Sequence, residues 1–327
     1  MTEYVGYPWG WFVVAFSKDI AIGEVQKMHY FGQELVAFRG DDGVVSILDA
    51  YCPHLGAHLG VGGTVEGCAI RCPFHAWRFD GNGQCVDVPY AAKIPPGARI
   101  KTWPVRERNG LVFVWYDRAG GAPNYEIPVL PQYEDEDWGP WEVEFLHIKT
   151  HPREVLENMA DSAHFAYVHA TKVLSFENEF MDHKCVQRLS ALAKPRGGGE
   201  DRFDLEATYY GPGYHISVMD GVLQSRLLLA HTPVDENSID LRFGAMLKTF
   251  GDPEQTRSFA QMYLNNLQTG FCEDIEIWEN KLYRTRPALC DGDGPIGKLR
   301  RWYRQFYGEA PQTNLQSEDG GLAHEKI

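Results

Sequence analysis

The sequence predicts an α+β protein, in which an all-β first half is followed by a half that combines a sheet with helices. Short runs of alternating apolar and polar residues fill the chain from Trp11 to Asp117, and this period of two is typical of strands. The next stretch, Gly120–Pro140, is rich in Pro, Gly and acidic residues and is the best candidate for a domain boundary. Beyond it, strand-like runs precede a long helical pattern that starts at Pro253.

The first half contains several well-marked strand candidates. Glu34–Phe38, Val44–Leu48 and Leu111–Trp115 read ELVAF, VVSIL and LVFVW. Residues 40–43 and 80–83 punctuate these runs with Gly, Asp and Asn, which favour turns. We therefore expect short strands joined by tight turns.

The second half is expected to hold a sheet covered by a long helix. Four segments have helix or strand patterns, namely helices near Arg153–His169 and from Pro253 to about Arg284, and strands at Leu205–Tyr210 and Leu241–Leu247. Lys194–Arg202 reads KPRGGGEDR and is expected to be a flexible loop. The polar segment that starts at Glu309 is expected to be a loose tail.

Composition and charge limit the classes of partner and compartment. The 327 residues carry a formal charge of −14, which argues against nucleic acid or an anionic membrane surface as the partner. No run of 18 apolar residues exists, so no membrane span is expected. The N-terminus lacks the basic region and cleavage site of a signal peptide. In a chain expected to be cytoplasmic, seven unevenly spaced cysteines favour metal ligation over disulfides.

Two short motifs in the first half predict a metal cluster. Cys52 and His54 form C-x-H, and Cys72 and His75 form C-x2-H after a gap of 17 residues, 55–71. Two thiolates and two neutral imidazoles are the ligands of a mixed-ligand [2Fe–2S] cluster, whose potential is higher than that of an all-Cys cluster. A structural Cys2His2 zinc site is the alternative. The alternating ligand order and the proline after each cysteine disfavour zinc.

Other cysteines and histidines are not assigned to this cluster. Five cysteines lack a histidine at ligand spacing and are expected to be ordinary core or surface thiols: Cys68, Cys85, Cys185, Cys272 and Cys290. His58 is expected to be a surface or packing residue, because the cluster already has four ligands.

A second metal site is predicted from the motif D-x2-H-x4-H in the second half. It comprises Asp161, His164 and His169, with Asn158 shortly before it. On an ideal helix His164 lies about 60° to one side of Asp161 and His169 about 80° to the other. The helix should therefore end, bulge or tighten between the histidines, so that both can reach one metal with Asp161 between them as an acceptor. Two ordinary histidines near a helix end are the alternative.

The third ligand of this site is predicted on the long helix. An Fe(II) site for O2 chemistry uses two histidines and one carboxylate and leaves other positions open. The apolar stripe of the helix consists of Leu264, Leu267, Phe271, Ile275, Trp278 and Leu282. Asp274 lies about 50° from the centre of this stripe, whereas Glu273 and Glu276 lie about 150° away. A carboxylate on a buried face needs a cation, so Asp274 is the predicted ligand, with a salt bridge to an arginine as the alternative.

The cluster motifs resemble those of a known family. CPHLGAHLGVGGTVEG (residues 52–67) and CPFHAWRFDGNGQC (72–85) resemble the Rieske domain of bacterial non-haem iron oxygenases. Within that family the chain is most similar to the steroid-directed branch, which includes 3-ketosteroid 9α-hydroxylase oxygenase components and cholesterol 7-desaturases. ENMADSAHFAYVH (157–169), EDIEIWENKLY (273–283) and DGPIGKLRRWYRQFY (293–307) carry this second resemblance.

The resemblance implies an architecture and an assembly. It implies an all-β Rieske domain over residues 1–125, a helix-grip catalytic domain with a mononuclear iron over 126–310, and a polar tail over 311–327. It also implies a head-to-tail homotrimer, in which His75 faces Asp161 of the partner subunit and electrons cross between subunits. Asp161, together with Asn158, is then a candidate catalytic residue.

The function implied is that of the oxygenase component of a monooxygenase. Electrons from NAD(P)H would arrive through a separate reductase or ferredoxin, because the chain has no G-x-G-x-x-G loop. O2 would then be used to hydroxylate a small apolar, steroid-like substrate. The alternatives within the family are a sterol desaturase and an oxygenase for a non-steroid aromatic substrate. A pure electron-transfer protein and a zinc-stabilised binding module would not account for His164, His169 and Asp274 together.

Overall fold

Four antiparallel sheets and four α-helices make up the described part of the chain, which comprises residues 4–193, 201–220 and 224–308 of a computed structural model. Three small sheets form the first half, and a seven-stranded sheet dominates the second. The predicted α+β class is confirmed, since an all-β half precedes a half in which helices accompany a sheet.

Eleven short strands form the three sheets of the first half. They are β1 (Gly10–Phe16), β2 (Val25–Tyr30), β3 (Gln33–Arg39), β4 (Val45–Asp49), β5 (Thr64–Glu66), β6 (Ala69–Arg71), β7 (Arg78–Asp80), β8 (Cys85–Asp87), β9 (Thr102–Trp103), β10 (Val105–Arg108) and β11 (Leu111–Tyr116). The sheet orders are β1-β11-β10, β2-β3-β4-β9 and β5-β6-β7-β8. The three predicted strands are β3, β4 and β11, and the two predicted turns join β3 to β4 and β7 to β8.

Two apolar cores hold these sheets together. In the first core, Phe31 stacks on Tyr116 with ring centroids 4.5 Å apart and packs edge-on against Phe12. The second core lies beneath the loops that carry the cluster motifs, and its members include Cys52, Leu59, Ile70, Cys72, Trp77 and Phe79. The two cluster cysteines are therefore part of a packed core rather than of a free surface loop.

The large sheet is antiparallel throughout its described strands. They are β12 (Glu142–Ile148), β13 (Lys172–Met181), β14 (Lys184–Ala193), β15 (Asp201–Tyr210), β16 (Tyr214–Asp220), β17 (Ser225–Pro233) and β18 (Ile239–Leu247). Their order is β12-β18-β17-β16-β15-β14-β13. The strands predicted at residues 205–210 and 241–247 lie within β15 and β18. Residues 194–200 of the predicted loop lie outside the described residues, and Asp201 and Arg202 begin β15.

The two halves share one core. Successive strand residues point to opposite faces of the large sheet, and one of these faces packs against the first half. On one face, Tyr214 and Leu228 join Trp11, Phe113 and Trp115 of the first half. Phe113 meets Tyr214 edge-on at 4.9 Å. The other face is left for the long helix and the functional residues.

Arg242 on β18 ties the halves together. Its buried guanidinium donates to the carbonyl oxygens of Val13 (3.2 Å) and Val14 (2.7 Å) and to the hydroxyl of Tyr30 (2.7 Å). A planar guanidinium can serve several acceptors at once. This contact fixes β1 and β2 relative to the large sheet.

The four helices are α1 (Pro152–Glu157), α2 (His164–Tyr167), α3 (Pro253–Asn280) and α4 (Ile296–Arg304). The single helix predicted near residues 153–169 is wrong, because the structure splits it into α1 and α2. Backbone bonds from Met159 to Leu156 and from Ala160 to Glu157 close α1 with a turn. Asp161 then caps α2, since its Oδ1 accepts from the backbone N–H of Ala163 (3.1 Å) and of His164 (3.2 Å).

The long helix α3 begins where it was predicted and ends earlier. Asp252 caps it by accepting from the N–H of Gln255 at 2.8 Å, and Pro253 occupies the first turn. It ends at Asn280 instead of about Arg284, because Lys281 turns to an extended conformation and its Nζ lies 2.7 Å from Glu154. The helix α4 was not predicted. Within the described part of the chain, no helix has the length and hydrophobicity of a membrane span.

Candidate metal centres

The two cluster motifs form loops of the same shape. In the first, the backbone N–H of Cys52 donates to the carbonyl of Ala57 (2.9 Å), and Gly56 donates back to Cys52 (3.0 Å). In the second, Cys72 donates to Trp77 (2.8 Å) and accepts from Ala76 (3.1 Å). The residue four positions after each cysteine has a positive φ, 77° at Gly56 and 59° at Ala76. Each loop therefore turns sharply enough to direct its cysteine and histidine to the same side.

The side chains of these loops meet at one place. The rings of His54 and His75 lie 4.7 Å apart, and His54 stacks on Trp77 at 4.6 Å. Cys52 and Cys72 are both buried, and burial raises the pKa of the Cys52 thiol to about 11. The structure thus brings the two imidazoles together, and the two thiols lie in one core.

This arrangement fits a mixed-ligand [2Fe–2S] cluster. The Nδ1 atom of His75 is buried and has no hydrogen-bond partner in the described structure. A buried polar atom without a partner costs free energy, and a metal bound at Nδ1 would remove that cost. A bound metal would also stabilise thiolates that burial alone disfavours.

The remaining cysteines and His58 do not join this group. All seven cysteines are free thiols. His58 uses both ring nitrogens elsewhere, because Nε2 bonds to Glu34 at 3.1 Å and Nδ1 accepts from the N–H of Gly60 at 3.0 Å. It is a packing residue, as expected.

The second site begins at α2, whose first residue is His164. Its Nδ1 lies 2.6 Å from the main-chain carbonyl of Asp161, which directs Nε2 away from the backbone. The Asp161 carboxylate is 3.9 Å from the same nitrogen and serves mainly as the cap of α2. The geometry estimated for a continuous helix therefore does not apply to Asp161.

His169 follows the end of α2. The backbone N–H of Thr171 closes the turn on the carbonyl of Phe165 at 2.8 Å, and Ala170 has a φ of 49°. The predicted distortion between the two histidines is present, and their rings lie 5.3 Å apart at 81°.

Asp274 on α3 completes a three-residue group. Its Oδ2 lies 3.2 Å from Nε2 of His169. One ligand atom from each of His164, His169 and Asp274 lies within 4.8 Å of the other two, and among the described residues these three form the one such group. Asp274 is buried and pairs with no arginine among the described ion pairs, so its salt-bridge alternative is not observed.

The site fits a mononuclear iron. Two imidazoles and one carboxylate on one side of a metal are the ligand set of non-haem Fe(II) sites that keep open positions. The acidic partner raises the pKa of His169, whereas burial lowers the pKa of His164. A cation among these groups would replace the ion pair that Asp274 now makes with His169.

Four supporting hydrogen bonds were not predicted. Nδ1 of His169 bonds to Glu273 at 3.2 Å, although helix periodicity had directed Glu273 away from the site. Oδ1 of Asn158 accepts from Nε1 of Trp278 at 3.4 Å, one turn after Asp274 on α3. The carbonyl of Met159 accepts from Asn178 and from Gln187. The bond to Trp278 connects Asn158 to the helix that carries Asp274. The catalytic role of Asn158 stays a prediction.

Family models match both halves of the chain. Residues 10–104 match the Rieske [2Fe–2S] domain. Residues 114–307 match the 3-ketosteroid 9α-hydroxylase C-terminal domain. This chain belongs to the 3-ketosteroid 9α-hydroxylase family of Rieske oxygenases. The predicted family and its [2Fe–2S] cluster are thereby confirmed, and the iron of the second site stays a prediction.

Similar proteins extend over most of the chain. A probable 3-ketosteroid-9-alpha-monooxygenase oxygenase component from Rhodococcus rhodochrous is 38% identical, over 92% of this chain and 80% of its own length. Its counterpart from Mycobacterium tuberculosis is 35% identical over 92% and 82%. Cholesterol 7-desaturase nvd 1 from Ciona intestinalis is 33% identical over 96% and 72%.

A solved structure has the same fold at low sequence identity. Dicamba monooxygenase bound to dicamba superposes with a TM-score of 0.76 at 21% identity, over 93% of this chain and 98% of its own. The chain is the oxygenase component of a monooxygenase, and it shares its fold with dicamba monooxygenase.

Proposed function

We propose that this Rieske oxygenase hydroxylates a steroid or a similar polycyclic apolar substrate with O2. The observation that carries the proposal is the group of His164, His169 and Asp274, in a chain whose second half matches the 3-ketosteroid 9α-hydroxylase C-terminal domain. When bound, the cluster supplies single electrons and the iron supplies activation of O2. A sterol desaturase and an oxygenase for simple aromatic substrates are the less favoured alternatives.

In this proposal the two loops of the first half hold the cluster. Cys52 and Cys72 provide the thiolates and His54 and His75 the imidazoles. The buried Nδ1 of His75, which has no hydrogen-bond partner in the described structure, supports this assignment. His164, His169 and Asp274 hold the iron. The contacts at the Nδ1 atoms of both histidines leave each Nε2 as the metal-binding atom, and iron would replace the present ion pair between Nε2 of His169 and Asp274.

We also propose that the protein works as a homotrimer, with His75 opposite Asp161 of the partner subunit. Apolar side chains surround the cluster histidines on the outside of the molecule: Leu55, Phe74 and Tyr90 are 65%, 58% and 61% exposed. Exposed apolar groups in one place favour a protein interface. In such an assembly Asp161 would link the cluster of one subunit to the iron of the next.

The partly uncovered face of the large sheet is an argument for an apolar substrate. α3 packs on β12 and β18, which leaves the neighbouring strands β14–β17 less covered. Leu227, Leu229 and Met219 point to the face that α3 covers and remain partly exposed, although they lie in central strands. These partly exposed apolar side chains beside α3 suit a rigid hydrocarbon skeleton.

A separate NAD(P)H-dependent reductase or ferredoxin is the proposed electron donor, and the cytoplasm the proposed compartment. The word "component" in the names of the relatives describes proteins that work with a second protein. Free thiols throughout the chain suit a reducing compartment.

The test is product formation from a panel of substrates. The holoenzyme is combined with a reductase and NADH, and steroids with a ring ketone, sterols and monocyclic aromatics are compared by substrate-dependent NADH consumption and mass spectrometry. We expect a product 16 mass units heavier from ketosteroids. A product two mass units lighter would indicate desaturation, and turnover of monocyclic aromatics alone would contradict the steroid proposal.

A further inference from the structure

Two consecutive carboxylates of α3 meet the two ring nitrogens of one histidine. Asp274 Oδ2 lies 3.2 Å from Nε2 of His169, and Glu273 Oε2 lies 3.2 Å from Nδ1 of the same ring. Asp274 belongs to the proposed iron site, but Glu273 is on the opposite edge of the imidazole and cannot reach the same metal. Its contact therefore needs a separate explanation.

The chemistry of the pair determines the state of the ring. An ionised carboxylate can only accept a hydrogen bond, so Nδ1 of His169 must carry the proton that is shared with Glu273. A metal would take the place of the proton between Nε2 and Asp274, and the Nε2 lone pair would then point to the side where Asp274 and His164 lie while Nδ1 keeps its proton. The contact thus selects the tautomer that can bind a metal at Nε2 and also holds the ring plane.

The helix leaves room for this arrangement at Gly270. A Cβ placed on Gly270 would lie 3.9 Å from Nδ1 of His169, which is ordinary contact distance. Any larger side chain at this position would meet the ring edge that Glu273 reaches. An alanine would fit here, so the space beside His169 limits this position to small residues.

The other histidine is held differently. Nδ1 of His164 is bonded to the main-chain carbonyl of Asp161, which no substitution of a side chain removes. Among the described hydrogen bonds, the one between Glu273 and His169 is the only one that joins a side chain to Nδ1 of a proposed iron ligand.

We propose that Glu273 is a positioning residue that fixes the tautomer and orientation of His169 for metal binding. The proposal rests on the proposed iron site. Removing such a partner typically weakens metal binding by about 10- to 100-fold. Because the Glu273 side chain is 51% exposed and water can partly replace it, we expect the lower end, about tenfold.

The experiment measures Fe(II) affinity rather than turnover. The mononuclear site of the full-length protein is emptied with a chelator that leaves the Rieske absorbance intact, and Fe(II) is titrated back in competition with a chromogenic chelator. Glu273→Ala should raise the dissociation constant about tenfold. Glu273→Gln keeps an acceptor oxygen and should give a smaller change. Glu276→Ala, an exposed acid on the same helix, is the matched control and should stay within about twofold of the wild type.

The outcomes separate this inference from the proposed function. An unchanged affinity in Glu273→Ala, with weakened binding in Asp274→Ala, would overturn the positioning role while leaving the iron site intact. Equal losses in Glu273→Ala and Glu276→Ala would also overturn it, because they would indicate a general charge effect. Unchanged binding in Asp274→Ala would instead contradict the proposed iron site itself.

Discussion

At the scale of single residues, the proposed mononuclear iron site depends on Asp274. It is buried on α3 and supplies the one carboxylate of the group. Asp274→Ala should lose the iron and all hydroxylation, while the [2Fe–2S] absorbance stays, because the two sites share no ligand. Metal analysis and the visible spectrum measure the two effects independently.

The control for Asp274 is Glu276, two residues later and exposed. Glu276→Ala should keep a full complement of iron. If Glu276→Ala lost the iron and Asp274→Ala did not, the face of α3 assigned to the site would be wrong.

Asp161 allows a second residue-scale prediction, because its two roles can be separated. Its Oδ1 caps α2, a role that the amide oxygen of asparagine can also fill, whereas the proposed link between subunits needs the negative charge. Asp161→Asn should therefore keep both metal centres. In a single turnover, the reduced cluster should be reoxidised more slowly when O2 and substrate are added. Near-normal reoxidation would leave Asp161 with the capping role alone.

The sequence predicted which side chains lie together where those side chains are short. Asp274 lies beside the two histidines, as expected, because a short side chain follows the direction of its Cα–Cβ bond, which helix periodicity gives. Glu273 was missed because its side chain has one more rotatable bond than that of aspartate, which lets its carboxylate reach back to His169. Periodicity describes directions from the helix axis and carries no information about such reach.

At the scale of elements, the turn after α2 determines where His169 points. Ala170 adopts a φ of 49°, which costs a non-glycine residue roughly 1–2 kcal/mol. Ala170→Gly should relieve this cost and raise stability by up to about 1 kcal/mol with iron binding unchanged. Ala170→Val should disturb the turn and weaken iron binding.

Urea unfolding and iron titration of the two Ala170 variants provide the measurement. Ala166→Val, on the exposed side of the same short helix, is the control for adding a β-branched residue. Equal effects of valine at both positions would contradict a special role of the Ala170 turn.

The division of the chain into elements was predictable where local signals are strong. The start of α3 follows from Asp252 and Pro253, and the short strands from alternation and glycine-containing turns. The break before α2 has no glycine or proline, although Asp161 three residues before His164 is a cap signal that could have revealed it. α4 was missed although its buried residues Leu299, Trp302 and Tyr303 recur at helical spacing, a signal that could have revealed it.

At the scale of the whole molecule, buried neutral histidines predict sensitivity to acid. Burial lowers the pKa of His151, His215 and His231 to about 3 in the folded protein, against about 6.5 in the unfolded chain. Between these values the unfolded chain binds more protons, so stability falls as the pH drops from about 6.5 towards 3. Each histidine contributes a slope of up to about 1.4 kcal/mol per pH unit.

The slope can be tested with one substitution. His231 is fully buried, and its Nε2 bonds to the hydroxyl of Tyr209 at 3.0 Å. His231→Gln removes one titrating group, so its free energy of unfolding should fall less steeply between pH 6 and 5, by about 1.4 kcal/mol per pH unit at most. Urea titrations at pH 7, 6 and 5 measure this, and parallel curves for variant and wild type would contradict the assignment.

The bonds at Trp9 have a consequence for synthesis of the chain. The backbone N–H of Trp9 donates to the carbonyl of Phe306 at 2.7 Å, and its indole N–H donates to Gln305 at 3.0 Å. A ribosome adds 5–20 residues per second, so Trp9 waits roughly 15 to 60 seconds for these partners to be made. During that interval the nascent N-terminal half exposes aromatic rings that belong to the shared core. These rings are fully buried only when translation nears the end. We therefore expect the growing polypeptide to bind chaperones that cover apolar surface.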